Sequence, residues 1–220
     1  AVTAATTPTT IAGATYNAMT GVTLSGSASG NYYVTGISAP ITANITPYVI
    51  NFGSGSGPNI SAVANNKVYT STTTANGALS MVNLFGSDSV AVGYTSATFA
   101  NPNVANGIAV TFAGVTLSGA QAANYSIGSA PITATANITP AVLTITAVDK
   151  SSFYTLPLAA LTQAPAVGLL GSDTVTGATI TTTATASGPN SAAGTYPISI
   201  SAATGSGLSN YSINYVPATY

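Results

Sequence analysis

One block of this chain occurs twice at a fixed displacement, and that repetition restricts the fold more than any single residue does. Gly21-Val22-Thr23-Leu24-Ser25-Gly26, Asn31-Tyr32 and Ala43-Asn44-Ile45-Thr46-Pro47 return as Gly114-Val115-Thr116-Leu117-Ser118-Gly119, Asn124-Tyr125 and Ala136-Asn137-Ile138-Thr139-Pro140, each anchor moved by 93 positions (114 − 21). A looser third copy ends in Asn210-Tyr211-Ser212-Ile213. Self-similarity at a fixed period is the signature of an array of small modules, so the 220 residues divide into units rather than forming one large domain. The anchors place the divisions at 1–47, 48–140 and 141–220. The first division holds only the back part of a module. Its missing strands are expected either from a neighbouring chain by β-augmentation or from residues beyond a fragment boundary.

Within the modules the apolar residues alternate. Ile108, Val110 and Phe112 interleave with Ala109, Thr111 and Ala113; Leu143, Ile145 and Ala147 interleave with Thr144, Thr146 and Val148. The same period holds at Tyr196, Ile198 and Ile200 and at Tyr211, Ile213 and Tyr215. A period of two marks half-buried strands. Short strands separated by Gly, Pro, Asn and Ser turns predict an all-β fold: tandem small immunoglobulin-like β-sandwich modules set end to end. A β-grasp module is the alternative, and it would require a helix across the sheet; only Gly119 to Ala123 reads as a single helical turn. Pro47 and Pro140 join the last strand of one module to the first of the next with no spacer. Proline fixes its own φ and restricts its predecessor, so these junctions should be stiff.

Charge is nearly absent: 2% of residues, with a formal net charge of −1, against 46% hydrophobic. An ordinary soluble domain carries roughly 25% charged residues. Disorder goes with high charge and few apolar residues, so this composition predicts a folded chain with a neutral, hydroxyl-rich surface. No basic stripe exists to meet phosphates, which argues against nucleic-acid partners. Near-zero net charge also gives chains little mutual repulsion and favours self-association as a homo-oligomer or filament. No apolar run is long enough for a membrane span; Tyr154 to Leu170 is interrupted by Pro157, Thr162, Gln163 and Pro165.

Three tyrosines stand out as anchors: Tyr32, Tyr125 and Tyr211. Leu24 and Leu117 precede the first two by eight residues, a spacing that resembles the tyrosine corner of immunoglobulin-like sandwiches, in which a buried ring bonds the backbone a few residues upstream. The usual Asp four residues before the Tyr is Gln121 here. The five charged residues are Lys67, Asp88, Asp149, Lys150 and Asp173. Lys67 and Lys150 precede Tyr69 and Tyr154 in equivalent places, and Asp88 and Asp173 close matching turns, Leu84-Phe85-Gly86-Ser87-Asp88 and Leu169-Leu170-Gly171-Ser172-Asp173. Each Lys is therefore expected to approach the Asp of its own module, against the plainer reading of two solvated charges.

Catalytic constellations are missing. Without His there is no Ser-His-Asp arrangement, and without Glu paired carboxylates would need Asp from two modules. No Cys is present, no acidic cluster matches a calcium loop, and Gly53-Ser54-Gly55-Ser56-Gly57 lacks the Lys-Ser or Lys-Thr of a phosphate loop. The expectation is a protein that is not an enzyme and takes no cofactor or metal. Asn-x-Ser/Thr triplets begin at Asn44, Asn59, Asn124, Asn137 and Asn210, as a Thr-rich composition would produce.

The order Lys67-Val68-Tyr69, Gly86-Ser87-Asp88, Gly-Val-Thr-Leu-Ser-Gly, Asn-Tyr-Ser and Ala-Asn-Ile-Thr-Pro resembles the YDG domain of large secreted bacterial adhesins. Leu143 to Ala147, Gly194 to Ile198 and Asn210 to Val216 are similar to the companion MBG domain of YGX type. The family's Tyr-Asp-Gly reads Tyr69-Thr70-Ser71, and the Gly after Tyr154 is Thr155, residues poorly suited to a turn with φ > 0. The resemblance implies an extracellular, cell-surface, stalk-like bacterial protein whose modules act as spacers and assemble through strand complementation. The competing reading is a binding array, whose Thr-rich faces or exposed tyrosines would meet a carbohydrate, ice, or a cell-surface receptor.

Overall fold

The alternating segments are strands, and their apolar positions are the core. In a computed structural model, residues 2–5, 15–17, 20–24, 42–53, 56–186 and 192–220 are described, those before Ile45 by backbone alone. Tyr32 lies outside the described residues. Strand Ala105–Ala113 buries Ile108, Val110 and Phe112, and strand Ala141–Thr146 buries Leu143 and Ile145. Each such side chain contributes roughly 1.5–3 kcal/mol by leaving water. The chain is all-β and fits a β-sandwich. Among the described residues the helical pieces are three-residue 3-10 turns, Ala122–Asn124 and Leu208–Asn210, so no helix crosses a sheet as a β-grasp would need. The turn expected within 119–123 sits at its C-terminal edge, against the anchor Tyr125.

Two compact units divide the chain. The first comprises Ala1–Ala62, Leu79–Thr95 and Gly114–Ile132. Here Tyr125–Ile127, Tyr48–Phe52, Asn59–Ala64 and Gly77–Val82 form a four-stranded sheet in that order, around the buried Ile50 and Ile60. Ala91–Gly93 pairs with Thr116–Ser118, and the backbone strands Val2–Ala5 with Thr20–Leu24 and Thr15–Asn17 with Thr42–Asn44, all antiparallel.

The second unit comprises Val63–Ala78, Ser96–Ala113 and Thr133–Tyr220. Its five-stranded sheet runs Lys67–Val68, Ile132–Thr139, Ala105–Ala113, Ser96–Phe99, Thr74–Ala75. Pro140 alone then separates Ile132–Thr139 from Ala141–Thr146, so the strand-to-strand junction read from the sequence is present. Beyond it, Ala141–Thr146 pairs with Tyr211–Val216, and Thr174–Thr182, Pro197–Ser206 and Ala218–Thr219 form a three-stranded antiparallel sheet. The division between compact units therefore does not fall at Pro140, because part of the segment 48–140 packs with the residues that follow it.

Both anchor strands run parallel to an opening strand: Tyr125–Ile127 beside Tyr48–Phe52, and Tyr211–Val216 beside Ala141–Thr146. A parallel pair needs a long crossover, here most of a module. The register sets Tyr125 opposite Tyr48 and Tyr211 opposite Ala141.

Candidate functional site

The residues that alternation leaves unexplained, the anchor tyrosines and the turn aspartates, meet each other. In the first unit, the turn ending at Asp88 is closed by the Asp88 N–H donating to the Phe85 carbonyl at 3.0 Å, with Gly86 at φ 53 where a side chain would be strained. The Tyr125 hydroxyl donates to Asp88 Oδ2 at 2.5 Å. Gln121, which stands where a tyrosine corner usually has Asp, accepts the Ser89 N–H at 2.8 Å and so ties down the segment following Asp88. Tyr48 and Phe85 complete an aromatic cluster on Tyr125, Tyr48 edge-on to both rings.

The second unit repeats the corner and adds a third party. The Leu170 N–H donates to the Tyr211 hydroxyl at 2.8 Å, and that hydroxyl donates to Asp173 Oδ2 at 2.8 Å. The same oxygen accepts the Tyr69 hydroxyl, also at 2.8 Å. The rings of Tyr69 and Tyr211 meet edge-to-face at 5.4 Å and 80°. Tyr69 belongs to the segment before Pro140, so one carboxylate fastens residues from both sides of that proline. Asn210, also buried, adds to it: its Oδ1 accepts the Val104 N–H at 2.9 Å, and its Nδ2 donates to Asn103 at 3.3 Å. Burial, then the hydrogen bond to the carboxylate, raises the phenol pKa of Tyr69 and of Tyr125, and pushes that of Tyr211 up to about 12.

These contacts correct two expectations. Lys67 does not pair with Asp88, nor does the carboxylate of Asp173 wait for Lys150; both carboxylates are taken by phenols. The Lys67 ammonium donates to Thr70 Oγ1 at 3.1 Å and to the carbonyls of Thr72 and Thr74 at 2.5 and 3.0 Å, and lies 5.2 Å from the Phe99 ring centroid. Three donors in one direction suit a loop's carbonyls better than a single carboxylate. Burial lowers its pKa. Lys150 contributes through its backbone, its N–H donating to the Thr219 carbonyl, while Asp149 accepts the Thr219 N–H at 2.7 Å. The second correction concerns the tyrosine corner. Tyr125 and Tyr211 are buried as expected, but their hydroxyls reach turns 37 to 41 residues upstream rather than a few.

Sequence reasoning passed over Tyr69 and Asn210 as joint residues. The signal was present in the Asn that precedes the anchor Tyr in every copy. Asn210 and Asn59 are buried, so of the glycosylation triplets these two are closed to an acceptor role in the folded chain. Among the described residues, no group of three metal-ligating side chains gathers, and no helix is long and apolar enough to cross a membrane.

The turns that lack their expected glycine keep its conformation: Ser71 has φ 59 and Thr155 φ 69. The left-handed region costs a non-glycine residue ~1–2 kcal/mol, more for a β-branched one, against up to ~1 kcal/mol lost to glycine's freedom in the unfolded chain. Thr155→Gly is therefore expected to stabilise the chain by about 1 kcal/mol and Ser71→Gly by less, read as increases in urea midpoint. A decrease for Thr155→Gly would show the strain to be relieved elsewhere.

Residues 58–134 match the YDG domain, and residues 143–220 match the MBG domain of YGX type. No curated protein and no solved structure matches the chain.

Proposed function

We propose that this chain, a YDG domain followed in tandem by an MBG domain, is a structural component of an extracellular bacterial fibre or adhesin stalk, its modules serving as rigid spacers that self-associate into a filament. The observation that carries the reading is the joint around Asp173. A proline-only junction and a half-buried set of hydrogen bonds, Tyr69 donating to Asp173, Val104 donating to Asn210 and Asn210 donating to Asn103, leave the segments on either side of Pro140 little freedom to turn against each other. Stiff transmission of length needs that; turnover of a substrate does not. Net charge near zero supports association between chains. For strand complementation, one long strand at the margin of its sheet is Thr174–Thr182, interrupted by register shifts near Gly177.

One feature favours a second reading, carbohydrate binding. A cleft of about 280 Å³ in the MBG domain is lined by Ser151, Phe153, Tyr154, Thr185, Tyr196 and Tyr220, aromatic rings and hydroxyls without a charge among them. A glycan array probed with the whole chain, together with negative-stain images of concentrated protein, separates the two. Background signal with threads supports the spacer; saccharide-selective signal with single particles supports the binder and removes the spacer reading.

A further inference from the structure

The joint between the domains has two halves, and each half recurs in the chain without its mate. The donor half is Tyr69, two residues ahead of the left-handed Ser71 and 4% exposed because its ring and hydroxyl are docked. Its counterpart in the MBG domain, Tyr154, stands directly before the left-handed Thr155. Tyr154 is 69% exposed, between Phe153 at 82% and Leu156 at 52%. A turn closed by the Leu156 N–H donating to the Phe153 carbonyl holds these three large side chains in solvent. The acceptor half is Asp173 with Tyr211, and its counterpart is Asp88 with Tyr125. Asp173 Oδ2 receives two phenols; Asp88 Oδ2 receives one, and the side chains of Phe85 and Tyr48, packed on Tyr125 at that corner, are exposed.

We propose that the Phe153–Leu156 turn docks onto the Asp88–Tyr125 corner of a second copy of this chain, repeating between molecules the joint that Tyr69 makes within one. The inference rests on the reading of the chain as a self-associating array, and it replaces strand pairing with a side-chain joint as the point of association. Exposed aromatic side chains on both surfaces, with a carboxylate oxygen that receives one phenol at Asp88 where Asp173 receives two, are the chemistry of a small interface anchor. One residue differs between the two acceptors. Tyr48 faces Tyr125 where Ala141 faces Tyr211, so in the MBG corner a small residue leaves room for the incoming ring, and in the YDG corner Tyr48 partly fills it.

Sedimentation equilibrium of the full chain tests this, with Tyr154→Ala and Tyr48→Ala alongside and circular dichroism melts to show that each variant folds. The wild-type chain should self-associate. Tyr154→Ala should weaken association about tenfold or more, the scale of a lost anchor residue. Tyr48→Ala, which copies the Ala141 corner, should strengthen it. Association that Tyr154→Ala leaves unchanged, or that Tyr48→Ala fails to strengthen, overturns the joint while leaving assembly by strand pairing standing. A wild-type chain that stays monomeric to millimolar concentration removes both.

Discussion

Asp173→Ala should lower the unfolding free energy by about 3–5 kcal/mol, the largest loss expected from any single polar substitution here. Two phenols donate to one carboxylate oxygen, and a hydrogen bond to a charged group is worth roughly 1.5–3 kcal/mol. Alanine removes the acceptor and leaves the Tyr69 and Tyr211 hydroxyls buried beside each other with nothing to receive them. Gly207 packs so close to this carboxylate that a Cβ there would collide with it. Asp173→Asn keeps an acceptor oxygen without the charge and should lose about half as much. Asp88→Ala is the internal control: its carboxylate serves one phenol, Tyr125, so its cost should be about half that of Asp173→Ala. Urea denaturation of the three variants gives the ordering. Equal costs for Asp88→Ala and Asp173→Ala would show that Tyr69 adds nothing to the joint.

That ordering separates what could be read from the residues alone from what could not. Alternation exposed the strands because a strand has only two faces, so Ile108 and Val110 had to share one face of theirs, and Leu143 and Ile145 one face of another. The left-handed backbone at Ser71 and Thr155 was not legible from the residues themselves, which suit φ > 0 poorly, although it falls where the YDG and MBG patterns carry glycine. The partners of the charges were not. Opposite charges kept in both modules suggest ion pairs, yet an ammonium can be satisfied by carbonyls of Thr72 and Thr74, which no sequence pattern announces, and a carboxylate by phenols that read as apolar rings. Parallel pairing was equally hidden. Period two is the same for either direction of the neighbour, so nothing in the sequence says that Tyr48 will face Tyr125 or Ala141 face Tyr211. The joint is thus built from the class of contact that local pattern carries least: polar groups brought together from segments tens of residues apart.

Because the joint is made of phenols kept protonated, its stability should fail in alkali. Burial foremost, and then the adjoining carboxylate, raises the pKa of Tyr69, Tyr125 and Tyr211 above the ordinary value of 10.0, Tyr211 to about 12. In the unfolded chain these phenols release their protons near 10, whereas the folded chain holds them longer. Between those values the unfolded state binds fewer protons, so stability is fully present below about 10 and falls as pH rises towards 12. The slope is about 1.4 kcal/mol per pH unit for each phenol so shifted, which makes the loss from Tyr211 alone on the order of 2–3 kcal/mol across the window, with Tyr69 and Tyr125 adding in the same direction. Ionising both Tyr69 and Tyr211 would put two phenolates against the Asp173 carboxylate, so the YDG and MBG domains should come apart as the second phenol titrates. Urea midpoints measured from pH about 9 to about 12, with phenolate absorbance followed in parallel, read this directly. Tyr211→Phe starts less stable, having lost its bonds to Leu170 and Asp173, but its midpoint should decline less steeply over the same range. A wild-type profile as flat as that of the variant would mean that the buried phenols are not what alkali attacks.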